Sequence, residues 1–196
     1  MQSVEEKDKR PGARLRYLLK KTVAMVGMMG AGKTAIGLAL SDRLGVAFRD
    51  SDEEIVRASN MSIAEIFERD GEAFFRDKET LVIERLLDGP PGVLSTGGGA
   101  FLAPANRDMI AAKGVAVWLD ADVDLLWDRV RHKTTRPLLL TEDPRATLAA
   151  LFAARVPDYA KADVTVKTEP EFSIAETTEQ VVAALLHRAD VLEKVE

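Results

Sequence analysis

The chain has 196 residues, 46% of them apolar, and its 27 lysines and arginines against 32 acids leave a formal net charge of −5. That length predicts one domain with a sizeable core, and the mild acidity argues against a nucleic-acid partner. There are no cysteines, which excludes a disulfide framework and any cysteine zinc site; no apolar run reaches the ~18 to 20 residues that span a bilayer. No nucleic-acid or membrane partner is expected from this composition, and the chain is expected to be a cytoplasmic monomer with small-molecule substrates.

Residues 1–21 carry seven lysines or arginines against three acids and lack an apolar signal core, so they read as a basic, flexible leader. The domain is expected over 22–193. Thr22–Val26, "TVAMV", is a short apolar run suited to a buried strand. It runs into Gly27–Thr34, which has the pattern G-x-x-x-x-G-K-T of a phosphate-binding loop. Glycine lets successive backbone N–H groups approach phosphate oxygens, Lys33 supplies a point charge to the outer phosphates, and Thr34 offers a hydroxyl to magnesium. Ile36, Leu40 and Leu44 follow at helical spacing, so the positive end of a helix would face the phosphates.

A second strand near 46–50 ends in "RDSDEE", which puts Asp50 and Asp52 two residues apart on one side of an extended chain. Two carboxylates at a strand tip suit phosphoryl transfer, one holding magnesium through water and the other orienting or deprotonating an acceptor hydroxyl. The same residues also suit a helix start, with Ser51 or Asp52 as N-cap. "SIAE" at 62–65 is a capping box for a helix that Gly71 should end, and a further helix runs from about Glu72 to the glycine and proline cluster at 89–92. Within it, Glu79 lies one turn from Arg76 and could fix its guanidinium.

The strand near 92–96 closes in "STGGG", whose free backbone at Gly97, Gly98 and Gly99 could hydrogen-bond a small polar ligand; a plain strand-to-helix turn needs only one glycine. Further strands are expected near 114–119 and 164–168, and a last helix over about 174–193. Alternating strands and helices imply parallel strands with helical crossovers on both faces. Residues 131–145, "RHKTTRPLLLTEDPR", are too long for an ordinary connection and read as a mobile lid. Arg76, Arg136 in that lid and Arg155 in "RVPDY" have the fork that matches a carboxylate or phosphate. With Asp52 they point to a small acceptor bearing both a carboxylate and a hydroxyl. His132 and His187 are too isolated for a metal or proton relay, and Trp118 and Trp127 fit core packing.

The ordered series "GMMGAGKT", "DSD", "FRDKE", "TGGG", "TRPLL" and "RVPDY" resembles the shikimate kinases over about residues 22–187. The resemblance implies a three-layer α/β phosphate-loop kinase fold whose five parallel strands, numbered along the chain, stand in the order 2-3-1-4-5. It implies transfer of the ATP γ-phosphoryl group to the 3-hydroxyl of shikimate, with Mg2+, on the way to chorismate and the aromatic amino acids. Gly30, Ala31, Gly32, Lys33, Thr34 and Ala35 would hold the nucleotide phosphates, Arg129 would stack on adenine, and Thr34 and Asp50 would serve the metal. Asp52 would be the base, with Lys33 and Arg136 assisting transfer. Arg76, Arg155 and the Gly97–Gly99 backbone would hold shikimate. The family's adenine loop falls at 168–178, where "TEPEFSIAETT" matches no clear pattern. A gluconate-type sugar-acid kinase would share the sheet and phosphate loop but not "FRD" with "TGGG", and a non-catalytic sensor of shikimate or nucleotide would not need the lysine, aspartates and arginines together.

Overall fold

The computed structural model describes residues 16–133 and 137–195. Seven strands and seven α-helices follow one another among them. The strands are β1 (Arg16–Leu19), β2 (Thr22–Val26), β3 (Phe48–Asp50), β4 (Val93–Ser95), β5 (Gly114–Ala121), β6 (Val164–Thr168) and β7 (Leu192–Val195). The helices are α1 (Lys33–Leu44), α2 (Ser51–Ser59), α3 (Ile63–Leu87), α4 (Pro104–Lys113), α5 (Val123–Val130), α6 (Pro144–Tyr159) and α7 (Ile174–Leu186).

Strands β2 to β6 form a parallel sheet in the order β3-β4-β2-β5-β6, which is the expected 2-3-1-4-5 once the five are numbered along the chain. Every residue of the central strand β2 is buried. Such a strand needs cover on both faces, and it explains why "TVAMV" is apolar throughout rather than alternating. Helix α1 packs on α7, and α3 on α4. The register lines up Met25, Ser95 and Asp50 across three adjacent strands at their C-terminal ends. That row sits at the edge of the sheet where ligands bind in this architecture.

The capping box is present: Glu65 N donates to Ser62 Oγ at 3.2 Å and Ser62 N to the Glu65 carboxylate at 2.7 Å. Gly71 interrupts α3 with φ 85° and ψ 170°, a conformation open to glycine, so the two expected helices meet at a kink. Of the expected lid, residues 134–136 lie outside the described residues. Pro137–Leu139 form a 3₁₀ turn that buries Leu139 in the core, and α6 has already begun at Pro144.

The two ends of the chain depart from expectation. Arg16–Leu19 of the supposed leader pair antiparallel with Leu192–Val195, so the folded domain starts before residue 22. The last helix stops at Leu186 rather than 193. Val191 and Leu192, 0% and 1% exposed, continue the apolar pattern of α7 and so mimic a longer helix, but they are buried from the strand pairing instead. Arg43 braces the ribbon, donating to Tyr17 Oη at 3.0 Å and to Glu179 of α7 at 2.6 Å. Removing residues 1–19 is expected to lower Tm by roughly 5 to 15 °C, from loss of buried Leu19 and the ladder bonds to β7. Thermal unfolding followed by circular dichroism checks this, and an unchanged Tm would show the ribbon to be dispensable.

Candidate active site

Strand β2 feeds the glycine loop straight into α1. Gly27, Gly30 and Gly32 all have positive φ, at 139°, 82° and 97°, which is why this turn cannot be built from ordinary residues. Lys33 Nζ donates to the carbonyls of Gly27 and Met28 at 2.8 and 2.9 Å, so its charge is held over the loop. Arg129 of α5 approaches from the other side, with Nη1 donating to Gly30 O at 3.1 Å and Ala31 O at 3.3 Å. Burial lowers its pKa from the usual arginine value.

A cleft of about 500 Å³ opens here, lined by the loop from Met29 to Ile36, Asp50, Asp52, Ser95 to Gly98, Arg129 and Lys133. Its far wall consists of Thr168, Phe172, Ile174 and Thr177. These four fall in the stretch where no pattern could be read. Phe172, Ile174 and Thr177 line the cleft through the docking of α7 on α1, and Thr168 through the pairing of β6 with β5, tertiary events without a local signature.

The "DSD" stretch divides its labour differently from the helix-capping alternative. Asp50, not Ser51 or Asp52, is the N-cap of α2: its Oδ1 accepts from Asp52 N at 2.9 Å and Glu53 N at 3.3 Å. The Asp52 side chain is thereby left to the cleft. Thr34, Asp50, Ser95 and Asp52 offer hydroxyl and carboxylate oxygens, a set suited to a hard cation that keeps most of its own waters. No cluster of three acidic or histidine side chains that could cage a metal alone occurs among the described residues.

The glycine run gathers the remaining groups. A Cβ on Gly97 would lie 2.8 Å from Asp52 Oδ1 and 2.9 Å from Glu79 Oε1; one on Gly99 would lie 2.5 Å from Arg76 Nη2; one on Gly98 would lie 3.5 Å from Arg155 Nη1. At Gly97 and Gly99 only glycine lets these side chains come so close to the backbone, whereas at Gly98 the arginine stands at ordinary contact distance. Arg76 Nη1 donates to Glu79 Oε2 at 2.8 Å, and Glu72 approaches the same guanidinium at 3.2 Å. Glu79 is 1% exposed, and burial pushes its carboxyl pKa up, opposed by Arg76 and reinforced by the charges of Asp52 and Glu72. Arg76 and Arg155 do not line the cleft itself; they meet it through the glycines. Arg136 lies outside the described residues. The two histidines are exposed, and Trp118 is buried in β5.

Asp52, Arg76 and Arg155 thus surround one short backbone segment that is continuous with the phosphate loop. Two guanidinium groups and one carboxylate are thereby brought to a single backbone run beside the phosphate loop.

The family model for shikimate kinase matches residues 29–186. A shikimate kinase of Ruegeria pomeroyi is 67% identical over 175 residues, which is 89% of this chain and 90% of that protein. Another from Cereibacter sphaeroides is 60% identical over 182 residues, 93% and 91% of the two chains. Among solved structures, shikimate kinase from Acinetobacter baumannii in complex with shikimate aligns with a TM-score of 0.82 at 36% identity, covering 86% of this chain and 94% of that one. On its sequence, its sheet order and the residues gathered at its strand tips, the chain belongs to the shikimate kinase family.

Proposed function

We propose that the family's reaction, ATP-dependent phosphorylation of shikimate, takes place here at the 3-hydroxyl, with Asp52 as base and the glycine run as the floor of the acceptor site. The observation that carries this reading is that Asp52, Gly97 and Gly98 line the same cleft as the phosphate loop. The backbone of Gly30 to Gly32 and the first turn of α1 to Ala35 receive the nucleotide phosphates, and Lys33 exchanges its loop carbonyls for phosphate oxygens. Arg129 stays against the loop and covers the base, with Thr168, Phe172, Ile174 and Thr177 forming the opposite wall.

Shikimate enters with its carboxylate between Arg76 and Arg155. Glu79 orients Arg76, and a guanidinium so fixed offers a bidentate fork. Asp52 accepts the proton of the attacking hydroxyl, and Arg136 is assigned to the transferring group. Thr34 and Asp50 would hold Mg2+, Asp50 through water, and the bound ion would neutralise charge on the phosphate oxygens. A cytoplasmic monomer remains the expected state. A coupled assay of ADP release with shikimate and gluconate side by side tests the reading; equal rates with the two acids, or none with shikimate, would refute it.

The carboxylate clamp makes its own prediction. Arg76→Lys keeps the charge but loses the fork held by Glu79, so shikimate KM is expected to rise about 10-fold or more while ATP KM stays within about 2-fold. Equal losses for the two substrates would show that Arg76 does not bind the acceptor.

A further inference from the structure

Three consecutive glycines form a soft floor for a substrate: each can rotate through backbone conformations closed to other residues, and none has a side chain to hold it. Something outside the run has to fix its peptide planes. Two buried hydroxyls do so from behind. Gly97 N donates to Ser51 Oγ at 3.2 Å, and Tyr159 Oη donates to Gly98 O at 2.5 Å. Both side chains belong to fully buried residues, each 0% exposed. Gly97 and Gly98 line the cleft whereas Ser51 and Tyr159 do not, so the grip is on the face of the loop away from the ligand.

Each hydroxyl also belongs to an element that carries a substrate group. Ser51 stands between Asp50 and Asp52. Tyr159 is one turn beyond Arg155 on α6, so one helix presents both the arginine near Gly98 and the donor to its carbonyl. The tyrosine ring stacks on Trp118 with centroids 6.2 Å apart, and Trp118 Cδ1 would lie 3.3 Å from a Cβ on Gly27. A packed path therefore joins the start of the phosphate loop to the glycine floor. Burial raises the Tyr159 pKa, opposed by the charge of Arg155 and its hydrogen bond to the phenol oxygen and by the charge of Arg76, so the phenol stays protonated and able to donate to Gly98 while accepting from Arg155.

We infer that Ser51 and Tyr159 are positioning residues for the acceptor, clamping the Thr96–Gly97 and Gly98–Gly99 peptide groups on either side of the Gly97–Gly98 peptide so that Asp52, Arg76 and Arg155 keep their places around the run. This rests on the reading of the glycine run as the acceptor floor. Tyr159→Phe removes one oxygen and keeps the ring on Trp118; Ser51→Ala removes the other hydroxyl. Without them the Gly98 carbonyl and the Gly97 N–H lose these partners, and Arg155 loses its hydrogen bond to the phenol, so both the glycine run and the arginine beside it are less firmly placed.

The test is steady-state kinetics of the parent chain and both variants with ATP and shikimate varied separately, alongside Tm. Shikimate KM is expected to rise about 5- to 20-fold in each variant, with ATP KM within about 2-fold of the parent. A purely structural role would lower Tm without separating the two substrates. Shikimate KM unchanged in Tyr159→Phe, or equal rises for both substrates, overturns the inference, and Tyr159→Phe decides alone if Ser51→Ala does not fold. An active parent with indifferent variants overturns this inference only, whereas a parent that releases no ADP with shikimate overturns the reading of the site as well.

Discussion

Asp52→Asn is expected to lower kcat by about 10²-fold or more, with ATP KM and Tm nearly unchanged. The substitution keeps the size of the side chain and removes its charge and basicity. The fold tolerates it because the helix start does not depend on this carboxylate: Asp50 caps α2, and the contribution of residue 52 to the cap is its backbone N–H, which asparagine retains. A second effect accompanies the first. The charge of Asp52 helps to raise the Glu79 pKa, so its loss moves that carboxyl back toward the ordinary range and leaves the ion pair with Arg76 intact. The carboxylate site proposed at Arg76 is thus preserved, and shikimate KM should change less than kcat. Single-turnover and steady-state rates check the split. Near-normal turnover would remove Asp52 from the role of base.

The parts of this site that were legible in the sequence are those where local chemistry demands particular residues. The phosphate loop needs glycine at positive φ and a lysine and threonine at a fixed distance, so "GMMGAGKT" can be read without a structure. The three inner strands β4, β2 and β5 are almost wholly buried, as parallel strands covered on both faces are, whereas the edge strands β3 and β6 are partly exposed and carry charged residues; all five appear where strand-like runs stand. What stayed hidden depends on contacts distant in sequence. Arg16 pairs with Val195 across nearly the whole chain, and no local pattern marks either as a strand. Phe172 and Thr177 become walls of the cleft only once α7 has docked. Ser51 and Tyr159 lie inside "DSD" and "RVPDY", where the charged neighbours carry the more evident chemistry and a neutral hydroxyl has no signature of its own. The sequence places the cap at Ser51 or Asp52 and the structure at Asp50, since any residue of "DSD" can begin a helix and only the observed bonds choose among them.

Gly97→Ala should be as damaging to turnover as loss of the base itself, though it removes no functional group. The added methyl would stand 2.8 Å from Asp52 Oδ1 and 2.9 Å from Glu79 Oε1, closer than carbon and oxygen can approach. Both obstacles are tips of side chains rather than backbone, so they can yield and the domain should still fold. Yielding moves the proposed base and the carboxylate that orients Arg76 at the same time, and a displacement of about 1 Å at a reacting centre can cost about 10²-fold in rate. Expected values are therefore a fall in kcat of about 10²-fold, a Tm within about 3 °C of the parent, and an unchanged ATP KM. Gly45→Ala supplies the contrast. Gly45 ends α1 at φ 68° with nothing within 4 Å of a Cβ, so alanine there strains the backbone, costs about 1 kcal/mol of stability and leaves kcat alone. Measured together, the two alanines separate crowding of the site from strain in the fold. Equal kcat for both variants would mean that the Asp52 and Glu79 carboxylates need not be where this structure has them, and the chemistry would have to be assigned to other groups along the cleft.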